Sequence, residues 1–210
     1  MTTHSSYTLT SARLWIVSAF AVSALVGGLA LSQRDADAHG GGRPVHEFDV
    51  ASDGATYRVD GPLDANGLPQ SGAHFVIEGL IYPAGFFDTY GPNAGFNADG
   101  TPQFPNQVVG RWTCRGWFLQ DGFPGGTGNF VATTQLYDFD LSDSGSQMLV
   151  SDGFERIDFN VPYARPITGG TGRYKRERGE VYETARGFNT TGFFNLSFDF
   201  GRRPGPLPAP

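Results

Sequence analysis

Acidic side chains supply the densest set of reactive groups in this 210-residue chain. Asp138, Asp140, Asp152, Glu155 and Asp158 fall close together, and paired carboxylates are the apparatus of glycoside hydrolysis. The same residues also suit turns and strand edges. His39, His46 and His74 stand far apart, and no His-x-His, Cys-x-x-Cys or Glu-x-x-His spacing occurs. Neither a zinc nor an iron site is therefore expected. Ser142, Ser144, Ser146 and Ser151 have no histidine near them in sequence, so nothing points to a serine triad. Cys114, the single cysteine, rules out an internal disulfide and reads more readily as a small buried residue than as a nucleophile. Arg173, Lys175, Arg176 and Arg178 form a basic strip, either a solvated face or a hold for an anionic ligand. Asp64-Ala65-Asn66-Gly67 and Asn97-Ala98-Asp99-Gly100 carry only part of a calcium-loop pattern and read as turns. Asn189-Thr190-Thr191 and Asn195-Leu196-Ser197 are glycosylation sequons, relevant only in a host that glycosylates exported chains.

The elements that must position these groups follow from composition and pattern. A formal charge of −6 argues against a nucleic-acid partner, which needs a basic surface. Aromatic residues make up 14% of the chain, too many for disorder, while 30 Gly and 14 Pro break it into short segments. Arg13, the apolar run from Leu14 to Leu31 and then Ala36-Asp37-Ala38 form a signal-peptide pattern with cleavage after Ala38. The alternative is an uncleaved anchor, since such a run reaches about 27 Å as a helix. Cleavage leaves no stable membrane span and places the mature chain outside the cytoplasm, secreted or periplasmic.

After a Gly-rich leader over 39–44, β-branched and aromatic runs alternate with Gly, Pro, Asn and Asp clusters. Strands are expected near 45–50, 56–60, 74–82, 108–119, 129–140, 146–152, 154–160, 173–185 and 192–200, with almost no helix. This is an all-β domain over 45–200, a sandwich or a closed barrel. In the last strand Phe194, Leu196, Phe198 and Phe200 share one face and Asn195, Ser197 and Asp199 the other. A Pro-rich tail follows over 201–210. The stretch 83–107 has no strand pattern but carries Phe86, Phe87, Tyr90, Phe96 and Phe104. Rings so numerous are costly to leave in water, so it is expected to cover the barrel mouth, to pack on a neighbouring subunit, or to plug one end.

Ile167-Thr168-Gly169-Gly170-Thr171-Gly172-Arg173-Tyr174, followed by Arg178-Gly179-Glu180-Val181, resembles the glycine-rich turn of the allene oxide cyclase and dirigent protein superfamily. Val109-Gly110 and Phe130-Val131-Ala132-Thr133 match that family's strand order, and the resemblance spans about 75–200. It implies an antiparallel eight-stranded β-barrel, commonly a trimer, with a largely apolar cavity and neither metal nor organic cofactor. Members steer cyclisation or coupling of small molecules by shape, desolvation and a few polar groups. Glu78 falls where allene oxide cyclases place a pocket glutamate, although Leu80 stands where they carry an asparagine. Arg178 matches the arginine of the dirigent Ala-Arg-Gly motif, and Cys114 lies on the strand of the cyclases' buried cysteine.

The function this implies is binding of a small apolar or aromatic molecule and cofactor-free steering of its cyclisation or coupling, as an isomerase would. Glu78 and Arg178 would polarise the guest or shuttle a proton. Tyr82, Trp112, Cys114 and Tyr137 would wall the cavity. The alternatives are a non-catalytic, oligomer-forming scaffold joined through Phe86 and Phe87, and a carboxylate hydrolase.

Overall fold

A computed structural model of the chain describes residues 47–119, 129–156 and 158–200. The expected signal segment 1–38, the leader 39–44, the tail 201–210, His39 and His46 lie outside the described residues.

Eight antiparallel strands pair in chain order and close into a barrel: β1 (Glu47–Asp60), β2 (His74–Pro83), β3 (Gly110–Phe118), β4 (Asn129–Asp138), β5 (Met148–Arg156), β6 (Tyr163–Gly170), β7 (Gly179–Phe188) and β8 (Phe194–Phe200). Closure is made by β8 against β1, with Val50 opposite Leu196. Helix among the described residues is limited to α1 (Phe86–Tyr90) and single turns at Pro105–Gln107 and Gly172–Tyr174.

Strand β7 starts at Gly179, not near 173, because Gly172–Tyr174 forms a helical turn, and three further departures from the expected limits have a local reason. Ser52-Asp53-Gly54 looks like a turn but is a bulge inside β1: Asp53 accepts the Ala55 N–H at 2.9 Å and the register with β2 shifts between Asp53 and Arg58. Asp152-Gly153 likewise runs through β5 instead of dividing it. Strand β6 was masked by Pro166, a poor residue for a central strand. Its ladder with β5 involves only Gly170, Gly169 and Ile167, so the proline lies past the end of that pairing.

Period-two alternation sets the inside. Along β3, Trp112, Cys114 and Phe118 are buried while Arg111, Arg115 and Trp117 are exposed. The interior is divided along its length. At one end Phe48 packs edge-on to Tyr137 and Phe139 and stacks on Phe198, with ring centroids 5.1–5.3 Å apart. Tyr174, from the glycine-rich turn, stacks on Phe139 at 5.0 Å and caps this end. The turn needs glycine at Gly172, where φ is +53° and a Cβ would collide with the Ser146 carbonyl and the Gln147 side chain. The other end holds Tyr57, Phe75, Phe118, Phe193 and Phe194 around an open mouth.

The aromatic stretch 83–107 neither covers that mouth nor plugs an end. It lies on the outer wall of β1 and β2, where Phe86, Phe87 and Phe96 are buried with Ala51 and Tyr82. Asn195, on the outward face of β8, donates its amide to the Pro92 carbonyl at 2.8 Å and the Ala94 carbonyl at 2.7 Å. Asn189 donates to the Ser52 carbonyl at 2.8 Å. Both sequon asparagines are thus buried and hydrogen-bonded, closed to glycosylation in the folded chain.

Candidate active site

The open end is a cavity of about 290 Å³ with an aromatic wall and a polar floor. Tyr57 lies 4.7 Å from Phe193 and Phe75 lies 5.3 Å from Phe118, ring to ring, so the wall is built by side chains that hold one another. Glu155, Glu183, Cys114, Trp112 and Ser52 line the deeper part.

The floor rests on a buried polar network that the alternation of four neighbouring strands points inward. Gln135, from β4, is fully buried and works in both directions. Its carbonyl oxygen accepts the Trp112 indole N–H at 2.9 Å and the Tyr137 hydroxyl at 2.8 Å. Its amide nitrogen donates to Glu155 at 2.7 Å and to Glu183 at 2.8 Å. Arg165, from β6, is also fully buried. It donates to Ser151 Oγ at 3.2 Å, the Thr133 carbonyl at 3.2 Å and Glu155 Oε1 at 3.3 Å, and its Nε lies 3.5 Å from Glu183. Buried charges persist only when paired and hydrogen-bonded in this way.

Two carboxylates share one guanidinium here, so the charges do not cancel unless one carboxyl keeps its proton. Burial, and then the neighbouring Glu155 charge, push the Glu183 pKa up to about 8, against the opposing pull of Arg165. Glu183 is therefore a carboxylic acid near neutrality. For Arg165, burial works against the charged form, but Glu183 and Glu155 outweigh it and hold its pKa above the ordinary arginine value. Glu155 differs from Glu183 in its bonding. Thr133, Gln135, Arg165 and the Cys114 thiol, the last at 3.5 Å, all converge on its Oε1. Four donors therefore meet on that one oxygen. Two carboxyl groups, one of them with a raised pKa, thus meet beneath an apolar wall, an arrangement that general acid–base catalysis can use.

The residues expected from sequence are only partly brought together. Trp112 and Cys114 line the cavity floor, and Tyr137 sits beneath it, joined to Gln135 and to Ser151 at 2.9 Å. Burial, and next the Glu155 charge, push the Cys114 thiol up, which keeps it protonated and inert as a nucleophile. Tyr82 points out of the barrel, stacked 4.0 Å from Phe86 with its hydroxyl donating to the Gly95 carbonyl at 2.9 Å. Glu78 has the same outward parity on β2 and is exposed, flanking an outer groove with Asp53 and Thr56. Arg178 is exposed at the capped end and donates to the Glu177 carbonyl at 2.6 Å. Neither Glu78 nor Arg178 lines the cavity. Sequence reasoning named Glu155 among five acids that could supply paired carboxylates or fill turns and strand edges, and passed over Gln135, Arg165 and Glu183. The signal available was parity: Glu183 alternates with Val181 and Ala185, and Arg165 with Ile167, all buried.

No protein-family model matches the chain, and no curated protein matches it in sequence. Among solved structures the chain is similar to a pyocyanin demethylase, at 14% identity and a TM-score of 0.42, over 73% of this chain and 96% of that one.

Proposed function

We propose that this barrel binds a small apolar or aromatic molecule in its open end and catalyses a cofactor-free proton shift on it, the elementary step of an isomerisation or cyclisation. The observation that carries the reading is the meeting of Glu183 and Glu155 on the single guanidinium of Arg165 beneath an apolar-walled cavity, with burial raising the Glu183 pKa. Glu155 takes a proton from an acidic O–H, N–H or activated C–H of the guest. Glu183 delivers one to another atom of the same molecule. The guest gains and loses one proton, no electrons leave it, and the two carboxyl groups re-equilibrate with water at the mouth. The Glu78 and Arg178 roles implied by the family resemblance pass to this interior pair. Export, supported by the Leu14–Leu31 run and Ala36-Asp37-Ala38, puts this chemistry outside the cytoplasm.

The test is hydrogen–deuterium exchange at the acidic carbon of an uncharged bicyclic aromatic ketone such as 2-tetralone, followed by NMR in heavy water. The chain should accelerate exchange, and E155Q and E183Q should each lower the enzyme-dependent rate about a hundredfold. Exchange at the buffer rate while dialysis shows the ketone bound would overturn the proposal.

A further inference from the structure

Adjacent residues of a strand point to opposite faces, so Glu155 and Arg156 are not both expected at one cavity. Arg156 pairs with Asn129 and Glu155 with Val131, a register shift between β4 and β5, and both side chains line the open end. Bulges of this kind re-aim side chains beside functional sites. The two arginines at this end differ in what they have left to give. Arg165, beneath the cavity, spends its guanidinium on Ser151, Glu155 and the Thr133 carbonyl. Arg156, in the cavity wall, has 40% of its side chain exposed, and its Nη2 lies 2.9 Å from Asp158 Oδ2. That contact carries charge without hydrogen-bond geometry. Arg156 Nε and Asp158 Oδ2, both sealed from solvent, have no hydrogen-bond partner among the described residues.

A guanidinium only donates, and an N–H kept from water without an acceptor is costly. A guest that brings an oxygen, met by a small turn of a head that Asp158 alone holds, relieves that cost. Resting on the reading of this cavity as the working site, we infer that Arg156 is a specificity-determining residue that takes the carbonyl oxygen of an aromatic ketone. This narrows the substrate class to aromatic carbonyl compounds. Asp158 balances the charge of Arg156, so a neutral acceptor oxygen supplies what the pair lacks. Donation from a cation also draws electrons toward the carbonyl oxygen and loosens the C–H beside it, the proton that the proposed reaction moves.

Two probes of one shape isolate the oxygen: 2-acetonaphthone, and 2-isopropenylnaphthalene, in which a methylene group replaces the carbonyl oxygen. Each is titrated near neutral pH into the full chain by calorimetry. The ketone should bind about fivefold more tightly, since a hydrogen bond to a charged donor gives about tenfold or more when sealed and less on a side chain this exposed. In R156M, which keeps the length of the side chain and loses its donors, the preference should vanish, with isopropenylnaphthalene binding unchanged as the check on folding. The isotope-edited infrared stretch of the ketone carbonyl should fall in frequency on binding the wild type and not on binding R156M. Equal binding of the two probes by the wild type, or a preference that survives in R156M, overturns the inference and leaves the cavity reading standing. If neither probe binds, the inference and the cavity reading both fall. Should R156M not fold, the wild-type preference and the infrared shift decide the matter.

Discussion

Glu183 holds its proton because burial and a second carboxyl group across Gln135 outweigh the opposing pull of Arg165, which both acids share. The consequence reaches stability. Unfolded, this glutamate titrates near 4.5; folded, it titrates at about 8, so the native state binds a proton that the unfolded chain releases. Its contribution to stability is full below the lower value and is lost as pH rises through the upper one. Denaturant midpoints measured from about pH 5 to about pH 9 should therefore fall for the wild type, and E183Q should flatten that slope. An equal slope in both would show that Glu183 does not carry the proton. At this scale the sequence was legible only in part. Trp112 and Cys114 were named as cavity walls, and the clean alternation of β3 does bury both. Arg165 and Glu183 were missed because each reads locally as a solvated charge, and only knowledge that β6 and β7 adjoin β4 and β5 inside a tube turns them inward. Glu78 failed the opposite way, since its parity on β2 follows Tyr82 and Val76, not Ile77 and Ile81.

Among the elements, the segment 83–107 shows how an apolar inventory can be read correctly and placed wrongly. Phe86, Phe87 and Phe96 do leave water, but against β1 and β2 of their own barrel, where Phe86 and Phe87 are 3% and 2% exposed, while Tyr90 stays exposed. They are unavailable for a subunit contact. Polar contacts also hold the segment: Asn195 donates to two of its carbonyls, and the Thr190 hydroxyl donates to a third, that of Phe96, at 2.6 Å. Gly95 presses so close to Ala51 that a Cβ would overlap the alanine side chain, at a φ of +123°. Replacing Asn195 by alanine leaves buried carbonyls unpaired and should cost about 1–3 kcal/mol in a denaturation experiment. Because the clamp is on the outer wall, N195A should bind 2-acetonaphthone within about threefold of wild type once allowance is made for unfolded chain. A larger loss would mean that the segment governs the mouth. Neither the strand limits nor the turns hid this arrangement; the missing information was the outward polarity of β8, where Asn195 is fully buried and Ser197 half-buried against Asp49.

At the scale of the molecule, nine short runs with turn signals between them fitted a sandwich or a closed barrel, and the closed eight-stranded antiparallel form was what the family resemblance implied. The proline-bearing β6 was the exception, and without it the tube would not close between β5 and β7. Export can be settled directly. Expressed in full with a secretion-competent bacterial host, the chain recovered outside the cytoplasm should have a mass that starts at His39; a full-length mass in the membrane fraction would establish the uncleaved anchor instead.

The division of the interior has a consequence for how such a barrel changes over time. One half is a keel of interlocked rings around Phe48, and the other is a hollow bounded by Phe75, Phe118, Phe130 and Phe193. Substitutions at the hollow's edge leave the keel intact, so the tube can be fitted to a differently shaped visitor without first being rebuilt.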